Sequence, residues 1–153
     1  MKDKLRTVIV DDEHDAVNFI ESIVNEYCEN IEIAGKAHSA IQGIEVISKE
    51  KPDLVFLDVE MPHGSGFDLL AAFPDKDFDV IFITAFNHYA IKAIKFSAVD
   101  YILKPININE FLEAVKKVEE AREGKISSNV NFHTLFENLK TGIPSKLAIP
   151  TSS

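Results

Sequence analysis

Residues 54–58 read Leu54-Val55-Phe56-Leu57-Asp58 and run into the loop Val59-Glu60-Met61-Pro62-His63-Gly64-Ser65-Gly66. An apolar run this short, with no polar residue alternating through it, is the pattern of a strand covered on both faces, as in a parallel sheet between helices. Four other runs have the same character: Leu5–Val10, Ile31–Ala37, Val80–Ile83 and Val99–Leu103. Between them the periodicity is helical. Val17, Ile20, Val24 and Tyr27 recur at helical spacing, and Ser39-Ala40-Ile41-Gln42 has the form of a capping box that opens a second helix through Ile44 and Ile47. Asn107, with Glu110 three residues later, opens the last helix; Phe111, Ala114, Val115 and Val118 form its apolar stripe and Gly124 suits its C′ position. The stretches after Gly66 and around Tyr89 to Phe96 supply two shorter helices. Five strands alternating with five helices under the right-handed crossover rule predict an α/β fold: one doubly wound parallel sheet with helices on both faces.

The chain has 153 residues, room for one domain and a short appendage. Apolar residues make up 46% and include 11 Phe, enough to build a core and exclude disorder throughout. A net charge of −9 sets the surface field against phosphate backbones and anionic lipid, so this chain alone is not expected to bind nucleic acid. Cys28 has no cysteine to pair with, and there is neither a signal-peptide pattern nor an 18-residue apolar run, so a cytoplasmic protein that does not engage a membrane is expected. Cys28 itself, within a helical apolar pattern, reads as a small buried hydrophobe. The composition shifts after residue 123. Residues 124–153 are rich in Ser, Asn, Thr, Gly and Pro, carry Lys125, Lys140 and Lys146 against Glu137, and read as a linker with a turn or two of helix at Phe132–Leu139.

Asp11 and Asp12 follow the first strand and Asp58 follows the third. In an open parallel sheet those ends meet at the ligand crevice, so three carboxylates share one pocket. Their mutual repulsion raises carboxylate pKa values unless a cation is present, and a hard divalent ion with oxygen ligands, Mg²⁺, is the natural occupant. The alternative is a polar loop mouth in which Asp11, Asp12 and Glu13 cap the next helix. Thr84 after the fourth strand and Lys104-Pro105 after the fifth bring a hydroxyl and an ammonium to the same edge. A carboxylate nucleophile, a metal, a hydroxyl donor and a fixed cation are the parts needed to move a phosphoryl group.

Val8-Ile9-Val10-Asp11-Asp12-Glu13, Leu57-Asp58-Val59-Glu60-Met61-Pro62 with Gly64 and Gly66, Ile83-Thr84-Ala85 and Asp100-Tyr101-Ile102-Leu103-Lys104-Pro105 resemble the receiver domain of two-component response regulators over about residues 5–123. The resemblance implies a flavodoxin-like fold with strand order 2-1-3-4-5 and a Mg²⁺-dependent transfer of a phosphoryl group to Asp58 from a sensor histidine kinase. It further implies that Asp11, Asp12, Asp58 and the backbone carbonyl of Glu60 hold the ion, and that Lys104 and Thr84 contact the phosphoryl oxygens. Tyr101 would be the switch aromatic that turns inward as Thr84 moves, and the Lys104–Pro105 peptide would be cis. The changing surface would be the fourth helix, fifth strand and fifth helix, with Tyr89, Ile91, Ile94, Phe96 and Tyr101 as apolar contact area, Ile94 and Phe96 reading equally well as core residues, and a homodimer as one outcome. Thr84 to Ile94, continuing through Ala98-Val99-Asp100-Tyr101, is similar to receivers of the LytTR class of transcription regulators, and Lys146–Thr151 to the opening strand of its DNA-binding domain. Residues 1–123 are then expected to be the receiver, and 124–153 a linker with the first residues of an output domain that would contact DNA; a stand-alone receiver is the alternative.

Two other functions fit part of the pattern: a Mg²⁺-dependent phosphohydrolase with Glu60 as its second acid, and a phosphate-independent interaction module that keeps the acidic pocket. Glu60, two residues past Asp58, would lie near the phosphoryl group and either obstruct or orient water. His63 and His88 read as solvated loop residues; His14, His38 and His133 carry no signal.

Overall fold

A computed structural model of the chain describes residues 4–123. The expectations for Gly124, for Phe132–Leu139 and for Lys146–Thr151 lie outside the described residues. The elements are β1 (Leu5–Val10), α1 (His14–Tyr27), β2 (Ile31–Ala37), α2 (Ala40–Glu50), β3 (Leu54–Leu57), α3 (Gly66–Ala71), β4 (Asp79–Thr84), α4 (Ala90–Lys95), β5 (Asp100–Leu103) and α5 (Ile108–Arg122). All four strand pairings are parallel and the order is β2-β1-β3-β4-β5, the flavodoxin-like doubly wound sheet.

Successive side chains of a strand point to opposite faces, so each interior strand feeds two cores. Val8, Val10, Val55, Leu57, Val80 and Phe82 pack under α2, α3 and α4. Ile9, Leu54, Phe56, Ile81 and Ile83 pack under α1 and α5. Burial on both sides is why these runs show no alternation in sequence. Phe56 stacks on Phe111 of α5 with ring centroids 4.8 Å apart, and Phe67 of α3 lies 5.0 Å from Phe82 and 5.3 Å from Phe96.

The helix starts follow their caps. Asn107 accepts from the Glu110 amide at 3.0 Å as expected. Ser39 accepts from the Gln42 amide at 3.1 Å, but Gln42 reaches back to the His38 amide at 2.7 Å instead of that of Ser39, so the expected box is displaced by one residue. A complete capping box forms at Ser65 and Asp68, opening α3. Strand edges also differ slightly. β4 gains Asp79 and Thr84 through the ladder bond from the Asp79 amide to the Asp53 carbonyl at 2.8 Å and pairing with β5, whereas β5 begins at Asp100. Tyr27 lies in the helical stripe of α1 yet is 50% exposed at its last residue. At the far end of the sheet Arg122 closes α5 onto the starts of β3 and β4, donating to Asp79 Oδ2 at 3.0 Å and to the Asp53 carbonyl at 2.9 Å.

One glycine is required by close approach. The Gly66 amide donates to the Val59 carbonyl at 2.7 Å, folding the β3–α3 loop against the end of β3. A Cβ at Gly66 would stand 2.3 Å from the Asp58 carbonyl oxygen, a backbone atom that cannot move aside. Gly66→Ala is therefore expected to destabilise the fold by about 3 kcal/mol, read as a lower urea midpoint at unchanged m-value. An unchanged midpoint would contradict this account of the loop.

Candidate functional site

Register places the site residues. Val10 pairs with Leu57, so Asp11 and Asp58 leave the sheet at one level; Thr84 pairs with Leu103, so Lys104 leaves beside Thr84. Backbone bonds extend each ladder into the site, from the Asp58 amide to the Val10 carbonyl at 3.0 Å and from the Lys104 amide to the Thr84 carbonyl at 2.8 Å. The sequence-predicted carboxylates converge: oxygens of Asp11, Asp12 and Asp58 all lie within 4.8 Å of one another. Asp11 and Asp58 are buried, Asp12 half-buried.

Lys104 is the cation of this pocket. Its Nζ lies 2.8 Å from Asp11 Oδ2, 3.0 Å from Glu13 Oε1 and 3.3 Å from Asp58 Oδ2. One ammonium does not satisfy them all. Asp58 Oδ1 and Thr84 Oγ1 are buried without a hydrogen-bond partner, and Asp11 Oδ2 has its ion pair with Lys104. Thr84 Oγ1 lies near enough to Asp58 to favour its ionised form slightly, but outside hydrogen-bond geometry. Asp11 Oδ1 accepts from the Glu13 amide at 2.9 Å, so one oxygen of Asp11 shapes the turn before α1 while the other faces the pocket.

These contacts set the titration. Burial first, and then the Asp11 charge, push the Asp58 carboxyl up to about 6 against the opposing pull of Lys104. Burial alone would lower the Lys104 ammonium, yet its contacts with Asp11 and Glu13 and the Asp58 charge outweigh burial and hold it above the ordinary lysine range. The pocket thus holds a permanent cation beside carboxylates that repel each other.

The remaining residues fall as follows. Glu60 is exposed, and its carboxylate accepts from the Tyr89 hydroxyl at 2.6 Å. Tyr101 already points inward, 1% exposed, with its hydroxyl donating to the Phe86 carbonyl, and burial raises its pKa. It therefore contributes no contact area to the α4–β5–α5 surface, contrary to expectation. On that surface Ile91 is 51% exposed, whereas Ile94 and Phe96 pack against the core. The Lys104–Pro105 peptide is cis. Cys28 is buried and its thiol is pushed up to about 11, chiefly by burial. His63 and His88 are exposed and lie outside the carboxylate cluster.

Two features escaped sequence reading. His14 and His38 stack with ring centroids 3.7 Å apart, and His38 Nδ1 sits 3.1 Å from the Asp11 carbonyl oxygen. Each residue directly follows a loop or strand at this edge of the sheet, which is the one signal that places them together. The other is the Glu60–Tyr89 bond, between residues 29 apart in sequence.

Fold and site define a doubly wound module with an acidic pocket and a fixed lysine at the C-terminal ends of its strands. The response regulator receiver domain model matches residues 7–116, and the chain belongs to that family, which is a family of signalling modules and not of classical enzymes. The chain is 40% identical over 114 residues to an uncharacterised response regulatory protein of Shewanella oneidensis, covering 74% of this chain and 48% of that protein. It is 35% identical over 119 residues to the transcriptional regulatory protein BtsR of Escherichia coli, covering 77% of this chain and 49% of BtsR. The chain thus spans about half the length of these relatives. Among solved structures it is similar to the response regulatory domain of mrkE from Klebsiella pneumoniae, with TM-score 0.71, 28% identity and coverage of 78% of this chain and 99% of that one. It is also similar to the CheX–CheY–BeF3–Mg²⁺ complex of Borrelia burgdorferi, with TM-score 0.69, 25% identity and coverage of 75% and 89%. Among the described residues no helix is long and apolar enough to cross a membrane.

The raised Asp58 pKa has a defined consequence for stability. Folding favours protonated Asp58, so its ionised form costs stability at all pH values above about 6, and the cost vanishes as pH falls to the unfolded value of 3.8. Asp58→Asn is expected to be more stable than the parent by about 1–3 kcal/mol at pH 8, with the gap closing toward pH 4. Urea denaturation across that range checks it, and a parent equal to or more stable than the variant at pH 8 would contradict it.

Proposed function

We propose that Asp58 is the phosphoacceptor of a phosphorylation-controlled switch, and that its Oδ1 is the attacking oxygen. The observation that carries this is the pair of buried oxygens without a hydrogen-bond partner, Asp58 Oδ1 and Thr84 Oγ1, beside an ammonium already shared among Asp11, Glu13 and Asp58. Unsatisfied buried polar atoms are costly, and here they mark where a cation and a phosphoryl group would be received. Oδ2 of Asp58 is engaged by Lys104, which leaves Oδ1 free.

The donor set is all oxygen and carboxylate-rich, which suits Mg²⁺. Asp11, Asp12 and Asp58 would hold the ion together with the backbone carbonyl of Glu60; when bound it supplies charge neutralisation for the phosphoryl oxygens. The chain's own residues supply the rest. Asp58 Oδ1 forms the bond to phosphorus as the bond from phosphorus to the kinase histidine nitrogen breaks, and the imidazole keeps that electron pair. Lys104 pairs with one phosphoryl oxygen and Thr84 donates its hydroxyl to another, which draws the start of the β4–α4 loop inward over Tyr101. The α4–β5–α5 face is the surface that changes, with a homodimer through it as one outcome.

The donor is a sensor histidine kinase, and the controlled output is a DNA-binding domain of LytTR type reached through residues 124–153, with residues 1–123 as the receiver. BtsR, a transcriptional regulatory protein about twice the span of the aligned region, supports a transcriptional output.

Intact-mass analysis after incubation with acetyl phosphate and Mg²⁺ tests the reading. The parent should gain one phosphoryl mass, and Asp58→Asn should gain none. No gain in the folded parent, or an equal gain in the variant, would reject Asp58 as acceptor.

A further inference from the structure

At the N-terminal ends of β3 and β4, the pole of the sheet opposite the carboxylate pocket, the end of α2, the loop from α3 to β4 and the last turn of α5 enclose a cleft of about 720 Å³. Its floor is apolar. Ile47 and Phe78 are buried there, and Phe73 meets Phe78 edge-on with ring centroids 5.5 Å apart. Lys51 and Lys76 also line it, and among the described residues neither ammonium has an ion-pair partner. Clefts of roughly 300–1,000 Å³ enclose ligands the size of a few side chains, so the space suits a short apolar segment with a charge beside it and not a folded domain.

The last turn of α5 delivers the chain to this cleft. Arg122 lines it and donates to Asp79 Oδ2 at 3.0 Å and to the Asp77 carbonyl at 3.2 Å, which pins the end of the helix there. Residues 124–153 continue from that point and carry Phe132, Leu135, Phe136 and Leu139 at i, i+3, i+4 and i+7, the spacing of one apolar helical face. Such side chains are unfavourable in water. Residues 124–131 connect them to α5, up to about 26 Å of extended chain. Glu137 and Lys140 accompany the stripe, opposite in sign to Lys51 with Lys76 and to Asp75 with Asp77 of the cleft. We infer that residues 132–139 dock in this cleft of their own chain, so that the segment following α5 is held against the pole of the receiver opposite Asp58. A second copy's segment would dock at its bulk concentration. A short tether instead supplies an effective concentration in the millimolar range, at which a segment of about 0.1 mM intrinsic Kd is seated in roughly nine chains of ten.

The 153-residue chain has no tryptophan, so Phe136→Trp places a single fluorescent reporter in the stripe. Docked, the indole should emit to the blue of free tryptophan, and acrylamide should quench it about tenfold less than in Phe136→Trp/Ala72→Leu, where added bulk occupies the cleft. Ala72 lines the cleft and is exposed, so the leucine leaves the core as it is. The protection should not change on dilution, because the tether fixes the local concentration. Amide hydrogen exchange of residues 72–78 gives a second reading in the parent sequence. It should be about tenfold slower than in Phe132→Ser/Phe136→Ser, because docking must be undone before this loop opens. Equal exchange in the parent and the serine variant would overturn docking, even with a protected reporter. Protection that survives Ala72→Leu would also overturn it, since the stripe would then be covered elsewhere. Protection lost on dilution would overturn the same-chain assignment in favour of a second copy.

Discussion

Lys104 presents one ammonium to Asp11, Glu13 and Asp58, all within 3.3 Å of its Nζ, at the edge of a sheet whose interior strands are buried toward this end. That contact brings together the ends of β1, β3 and β5 and leaves more negative charge in the pocket than it neutralises. A carboxylate in water would relieve such crowding by turning outward. Asp11 and Asp58 do not, because each follows the buried end of a strand, and the backbone of both is tied into the ladder. The rigidity of the sheet is what keeps the charges opposed, and a cation bound there would relieve the opposition.

The loops around this pocket are stabilised by means that differ from those of the strands. The β3–α3 loop is folded back by the Gly66 amide and started on its helix by the Ser65–Asp68 box. The β4–α4 loop is tied by two tyrosines, Tyr101 through the Phe86 carbonyl and Tyr89 through Glu60. α3 and α4 are short, with six residues each, so the loops before them lean on these side-chain contacts more than on long helices. A charge added at Asp58 acts on that arrangement, and the buried Thr84 hydroxyl, still without a partner, is the group in β4 placed to respond.

Much of this was legible in the chain because two-sided burial and end-of-strand chemistry are local. The runs at Leu54–Leu57 and Val80–Ile83 needed no partner to be read as buried strands, and Asn107 with Glu110 marked the start of α5. Asp11, Asp58, Thr84 and Lys104 were found because each directly follows or ends such a run. What remained hidden depends on contacts between distant residues. Nothing in the spacing ties Lys104 to Glu13 across 91 residues, or Tyr89 to Glu60. Tyr101 illustrates the other limit: a tyrosine in a strand is read equally well as surface or core, and only the ring of Phe82 at 6.1 Å and the Phe86 carbonyl decide for the core. Gln42 missed its expected amide by one residue because its side chain is long enough to reach the one before.

The fold holds Asp58 in a charge-crowded pocket that a divalent cation would relieve. The most direct measurement is the ¹³C chemical-shift titration of the Asp58 carboxyl carbon, with and without saturating Mg²⁺. The expected midpoint is near pH 6 without the ion, falling to the ordinary carboxylate range or below when it is present. A midpoint near 4 in both conditions would contradict it.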